Sequence, residues 1–277
     1  MSDPENVHPL DAALQMQQQH DGSMQAQAPQ AYWNMVGPYG GITAAQMLQA
    51  VLQHPQRLGE PLSMTVNFAG PVQAGALRIE ALPVRTNRSS QHWSVTMGQL
   101  DEQGQLQVST LATVITAQRR DTFSIDDADP PAMPDPLTCE RYDVQGAMAW
   151  LQHYDMRVVQ GALPKAWDDS GHESLSQLWV RDEPPRPLDF AALASLCDVF
   201  FPRIWLRRAR RVPAGTVSMT VYFHASLDQL AQHGDKHVLA QASAQAFRNG
   251  YFDHTAQLWD SEGELLATSH QIVYYKE

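Results

Sequence analysis

Hydrophobic positions along the chain follow two periods. Between residues 42 and 52, Ile42, Ala45, Leu48 and Leu52 recur at helical spacing, and Ala44, Met47 and Val51 widen the stripe. That pattern predicts a helix apolar around most of its girth, and so a buried one. A turn cluster, Gly37-Pro38-Tyr39-Gly40-Gly41, stands ahead of it, after a glutamine-rich polar lead-in over residues 15–30. Period-two alternation then marks strands at Met64, Val66 and Phe68, at Ile79 and Ala81, and at Trp93, Val95 and Met97. The turn Asp101-Glu102-Gln103-Gly104 joins a hairpin whose closing strand covers residues 106–117. Residues 119–136 are charged and proline-rich, a linker or an edge loop. Beyond them the pattern starts again. Strands are expected around residues 155–159 and 178–181. An apolar helix over 190–201 should be stopped by Pro202, and strands follow over 218–223, 238–246, 252–259 and 265–275.

The two halves share more than a pattern. Ser63-Met64-Thr65-Val66-Asn67-Phe68 returns as Ser218-Met219-Thr220-Val221-Tyr222-Phe223. The turn segment 99–106 is echoed by 257–265 with one residue inserted, and both echoes lie about 155 to 159 positions apart. An offset that long indicates duplicated domains rather than a solenoid. Each unit has one buried helix and a set of long antiparallel strands, and a sheet that wraps a central helix is the hotdog arrangement. The expected fold is therefore α+β, a tandem (double) hotdog. Its first unit is expected over 1–120, a proline-rich linker over 121–137 and the second unit over 138–277.

Bulk properties narrow the function. The chain has 277 residues, room for two domains of the usual size. A formal net charge of −11 argues against broad binding to nucleic acid or an anionic membrane. No apolar run approaches the ~20 residues of a spanning helix, and no signal-peptide core follows the acidic start Met1-Ser2-Asp3-Pro4-Glu5-Asn6. A cytoplasmic protein is expected. Two cysteines, Cys139 and Cys197, are too few for a disulfide framework or a zinc site, and the 11 histidines show no metal-ligand spacing. The chain lacks a Gly-x-Ser-x-Gly elbow, a phosphate-binding glycine loop, a dinucleotide fingerprint and His-Glu-x-x-His.

Polar residues among apolar ones carry more. Asp198 interrupts the second predicted helix, where an unpaired buried carboxylate costs several kcal/mol; it either faces solvent or points to a cavity. Desolvation would raise its pKa towards the range of a general base. Gln271 shares strand parity with Leu265, Ala267 and Val273, and its counterpart counted from the turn glycine is Ala112. Thr216 follows the turn Pro213-Ala214-Gly215, on the alternation opposite to Met219, Val221 and Phe223; a bulge at the strand start would reconcile them. Its counterpart is Pro61. Cys197 reads as a buried structural thiol. Arg203, Arg207, Arg208, Arg210 and Arg211 form either a solvated helix end or a landing site for a phosphate-bearing ligand.

Taken together these residues resemble the acyl-CoA thioesterase II family of double-hotdog enzymes. In the second unit the resemblance rests on Met156-Arg157, Trp179-Val180-Arg181, Asp198 with Pro202, and Thr216 with Tyr222-Phe223-His224. Arg248-Asn249-Gly250, Gly263-Glu264-Leu265-Leu266-Ala267 and Gln271 complete it there. In the first unit it rests on Gly37-Pro38-Tyr39-Gly40-Gly41 and Arg85-Thr86-Asn87-Arg88-Ser89. It implies hydrolysis of an acyl-CoA thioester without metal or cofactor, by a water held by Asp198, Thr216 and Gln271. Gly40 and Gly41 would allow backbone oxyanion donors a close approach, and Arg85, Arg88 or the later arginine cluster would take the coenzyme A phosphates. A homodimer or higher homo-oligomer is implied. The family's Thr-x-Asp-His-Ser run here reads Thr216-Val217-Ser218-Met219-Thr220, Ile272 follows the glutamine, and Asn87 precedes Arg88. The lost Asp-His pair favours a second reading, a non-catalytic acyl-CoA or lipid binder. A third, a hotdog hydratase or dehydratase, needs an aspartate and a histidine in one site, and no histidine follows Asp198 in its loop.

Overall fold

The computed structural model describes residues 7–277; the acidic start, residues 1–6, lies outside the described residues. The first half supplies β1 (Gln17–Gln18), β2 (Met24–Gln27), β3 (Glu60–Phe68), β4 (Ala76–Thr86), β5 (Ser90–Leu100) and β6 (Leu106–Ala117). The second supplies β7 (Tyr154–Gln160), β8 (Ser176–Asp182), β9 (Ala214–Phe223), β10 (Val238–Ser243), β11 (Phe247–Arg248), β12 (Tyr251–Trp259) and β13 (Leu265–Tyr275). They form one sheet in the order β1-β2-β4-β5-β6-β3-β9-β13-β12-β10-β8-β7, with β11 against β12. The fold is a double hotdog.

The two halves meet along the duplicated hexapeptide. β3 and β9 pair antiparallel, with Ser63 opposite Tyr222, Thr65 opposite Thr220 and Asn67 opposite Ser218. Equivalent threonines of the two copies therefore face each other, and their hydroxyls hydrogen-bond at 3.0 Å. A local twofold passes between them. Arg119, at the exit of β6, locks one end of this seam: it donates to the carbonyls of Pro61, Phe223 and His224 and pairs with Glu60.

Two helices fill the sheet's concave side. α2 (Gly40–Leu52) begins two residues before its apolar stripe and buries nearly every side, as an all-round apolar helix must. Its one large buried polar side chain, Gln46, donates to the carbonyls of Ala13 and Gln27. α3 (Phe190–Leu196) lies against α2 and is capped by Asp189, whose carboxylate accepts from the Ala192 amide. It is shorter than the expected 190–201. The Asp198 amide bonds back to the Ser195 carbonyl, tightening the last turn, and Pro202 disfavours helical backbone at Phe201. Asp198 thus stands in the turn after the helix rather than inside it. A second short helix, α4 (Arg203–Arg208), starts beyond Pro202. Among the described residues, α1 (Pro9–Ala13) and α5 (Leu227–His233) are the remaining α-helices.

The proline-rich segment is not a free tether. Trp259 Nε1 donates to the Ala128 carbonyl, Trp179 Nε1 to the Pro134 carbonyl and Arg157 to the Pro136 carbonyl. Trp179, Leu239 and Trp259 form a small apolar cluster apart from the main core, with Met133 of the segment packed on it. The segment is a strap across the second unit's outer face.

Gly41 lies where α2 meets α3. A Cβ there would run into the Tyr39 hydroxyl and the Ser195 backbone carbonyl, neither free to withdraw. Gly41→Ala is expected to lose about 1–3 kcal/mol in urea unfolding through overpacking. An unchanged midpoint would show that the contact is loose.

Candidate active site

The cavity that matters lies where the start of α2 faces the turn after α3. It measures about 220 Å³, and both halves line it: Tyr39, Gly40 and Phe68 from the first, Asp198, Thr216 and Gln271 from the second. Aromatic side chains contribute to the wall, among them Trp150, Phe200, Trp205 and Phe252.

The sheet delivers two of the polar groups. Gln271, on β13, is opposite Met219 of β9 and is buried at 3 % exposure. Thr216 should by simple alternation face away from it. The register of β9 against β13 shifts between Ile272 and Val273, so Val217 is an extra residue and Thr216 turns to the cavity side. The Thr216 hydroxyl donates to Gln271 Oε1 at 3.0 Å, and Gln271 Nε2 donates to Asp198 Oδ1 at 2.9 Å. Thr216 thereby fixes which way round the amide sits, with its N–H face towards the carboxylate.

Asp198 is deep in the protein, yet keeps part of its surface open to the cavity. Its second oxygen lies so close to Gly40 that a Cβ there would sit 2.7 Å from it. Burial raises the Asp198 pKa, opposed by the Gln271 hydrogen bond and one from the Gly41 backbone, and the balance falls at about 7. Gly40 and Gly41 are thus brought to the site, with the Gly41 backbone already engaged by the carboxylate. Cys197 is fully buried beside it, its thiol pushed up by burial and then by Asp198. It is not poised as a nucleophile.

The arginines divide. Arg203 is fully buried and donates to the carbonyls of Phe201 and Ser174 and to Ser176 Oγ, a structural role rather than a solvated one. Arg208 pairs with Asp169 and Glu277. Arg211 is exposed and lies over the rings of Trp167 and Trp205, and Trp205 lines the cavity. Arg85, at the end of β4, and Arg88, in the β4–β5 turn, are exposed, with Arg85 bonded to Asn87. The pairing of β5 with β6 and of β6 with β3 puts that turn at the end of the strands opposite to Thr216, so neither arginine joins the cavity.

The strand pairing also corrects one equivalence. Gln271 opposes Met219, while Val114 opposes Met64, the matching residue of the first copy. Val114, rather than Ala112, is the counterpart of Gln271; Pro61 remains that of Thr216. Among the cavity residues without a sequence-based expectation is His254 on β12, directly opposite Gln271. Its signal was available, since it shares the inward parity of Phe252, Ala256 and Leu258.

Comparison with known proteins agrees with this architecture. Residues 29–117 match a family model described as the acyl-CoA thioesterase N-terminal domain, and residues 126–275 match one described as the acyl-CoA thioesterase C-terminal domain. No curated protein matches the chain. Among solved structures, a conserved hotdog protein of unknown function from Alicyclobacillus acidocaldarius is 43% identical with TM-score 0.91, covering 98% of this chain and 99% of that one. A putative thioesterase II from Thermobifida fusca YX is 18% identical with TM-score 0.78, covering 97% of each chain. The acyl-CoA thioesterase II TesB2 from Mycobacterium marinum is 18% identical with TM-score 0.75, covering 96% and 98%.

Asp198 also makes stability depend on pH. Its folded pKa of about 7 stands above the ordinary 3.8, so between those values the folded chain keeps a proton that the unfolded chain loses. Stability from this group is full below the unfolded value and is lost as pH rises towards about 7. The unfolding free energy of Asp198→Asn relative to wild type should therefore grow from about pH 4 to about pH 7 and then level. Urea titrations across that range test it. A difference independent of pH would show that the carboxyl is not held protonated.

Proposed function

The chain belongs to the acyl-CoA thioesterase family, and we propose that it hydrolyses an acyl-CoA thioester to the free acid and coenzyme A at the Asp198 cavity. The observation that carries this reading is the hydrogen-bonded relay Thr216–Gln271–Asp198, at 3.0 and 2.9 Å, ending on a carboxylate whose pKa is about 7. A base with that pKa is half ionised at neutral pH and can still accept a proton from water.

Water would donate one proton to Asp198. Thr216, whose own proton is committed to Gln271, would accept the other hydrogen bond through an oxygen lone pair. The remaining water lone pair is then aimed at the thioester carbon, a proximity effect. Gln271 is the positioning residue that holds hydroxyl and carboxylate in fixed relation. With the Gly41 amide taken by Asp198, the neighbouring Gly40 backbone, which lines the cavity, would stabilise the developing oxyanion. The thiol leaves without a strong acid, because its pKa is only about 8.5. The aromatic walls would take the acyl group. Arg211, exposed and stacked beside the cavity wall, is the arginine best placed for a phosphate of coenzyme A.

A second reading has one observation in its favour. His254 shares the cavity with Asp198, and dehydration of a β-hydroxyacyl thioester requires an aspartate and a histidine. Against it, Asp198 is engaged by Gln271 and the Gly41 backbone, and the imidazole makes no bond to it. Enone absorbance without thiol release would select dehydration.

For hydrolysis, kcat/KM should rise with pH to half its maximum near pH 7, with the ionisation of Asp198. Asp198→Asn should lower free-thiol release from a panel of acyl-CoAs by about 10²–10⁴-fold while the fold remains. Gln271→Ala and Thr216→Ala should lower kcat by smaller factors. Unchanged turnover by Asp198→Asn would remove the assignment.

A further inference from the structure

We propose that His254 is a specificity-determining residue that reads an uncharged oxygen, a hydroxyl or carbonyl, on the acyl chain close to the thioester carbon. This deepens the hydrolase reading above and rests on it.

β12 turns Phe252, His254, Ala256 and Leu258 to the interior, three apolar side chains and one imidazole. His254 is 3% exposed and lines the cavity, and its Nε2 has no hydrogen-bond partner. The surroundings offer none. The Phe200 ring stands edge-on to the imidazole, centroids 5.4 Å apart, and Phe252 flanks it along the strand. A buried polar atom left unpaired is costly, and the cost is recovered when a ligand supplies the partner. A plain alkyl or aryl acyl group filling this cavity would leave Nε2 unpaired.

Charge narrows the class. Burial, with Arg203 and His270 adding repulsion, holds His254 well below the usual histidine pKa, so the ring is neutral. A neutral imidazole has one donor and one acceptor, which suits a hydroxyl or a ketone. It offers no cation to a carboxylate, and an acyl group with a free acid would meet the carboxyl of Asp198 across the same space.

Position narrows it further. His254 is directly opposite Gln271, so the two side chains share one face about 5 Å apart at Cβ. His254 of β12 pairs directly with Gln271 of β13, and Thr216 of β9 is the diagonal neighbour of Gln271 on the same face, opposite Val273. With water held between Asp198 and Thr216, on either side of Gln271, His254 meets the chain only a few bonds beyond the attacked carbon.

The test compares β-hydroxybutyryl-CoA with butyryl-CoA, which differ in that one oxygen. Wild type should favour the hydroxy substrate in kcat/KM by at least about tenfold. His254→Leu should lose that factor on the hydroxy substrate and stay within about twofold on butyryl-CoA, and His254→Gln should recover part of it. Equal losses on both substrates, or no preference in wild type, would overturn the inference. If wild type releases thiol from neither substrate, the hydrolase reading fails. Calorimetric binding of the two uncleavable thioether analogues then decides the question for His254. Tighter binding of the hydroxy analogue, lost in His254→Leu, supports it, and equal binding overturns it. Should His254→Leu not fold, wild-type binding of the two analogues and the imidazole nitrogen resonance decide it. A resonance that moves only with the hydroxy analogue supports the inference, and one that moves with neither or both overturns it.

Discussion

Pairing of β3 with β9 is the constraint on which the molecule depends. It joins the two halves into one sheet through the same six residues met twice, with Thr65 against Thr220 at the centre. Because the pairing is antiparallel and in register on equivalent residues, the helices of the two units are brought together in opposite directions. The start of α2 then meets the end of α3, Tyr39 reaches the Ser195 carbonyl and Asp198 comes to rest against Gly40. Without that register neither helix end would face the other's turn.

What gathers there is an electrostatic balance. Taking a carboxylate out of water raises its pKa, while a helix start and an oriented amide lower it. For Asp198 burial dominates, but the Gln271 and Gly41 contacts hold the result near neutrality. Asp182 shows the other outcome. It is buried to a similar pKa of about 7, yet one oxygen finds no partner and it lies away from the cavity. A raised pKa alone thus does not single out a candidate site; at Asp198 it comes together with the Thr216–Gln271 relay and an open cavity.

Much of this was legible in the amino-acid order, and the exceptions have physical causes. Period-two alternation marks β13 over Leu265–Tyr275, because one of its faces is buried from Ala267 to Val273. The all-round apolar stripe located α2. Asp198 is legible as an anomaly, yet the pattern puts it inside a helix, since apolar residues continue through Phe201 after the helix has ended at Leu196. Strict alternation turns Thr216 away from the cavity unless the strand bulges, and nothing in the residue type of Val217 announces the bulge that is there. Arg85 and Arg88 belong to a run that resembles the family's, yet only the strand pairing reveals that they lie at the far end of the sheet. Helix α5 carries a capping box, Ser226 with Gln229, but its seven residues are too few for a convincing period.

The twofold at Thr65 and Thr220 is geometric and not chemical: around it, Thr216 answers Pro61 and Gln271 answers Val114. A symmetric pair of separate units would have to keep hydroxyl, amide, carboxylate and glycine helix start in every copy, and to maintain each under the same selection. Covalent duplication removes that obligation. One copy can lend only the end of a helix while the other keeps the reactive groups, so the two halves are free to diverge under different constraints. A half cut from this chain would carry an incomplete set, with the carboxylate on one fragment and its glycine seat on the other.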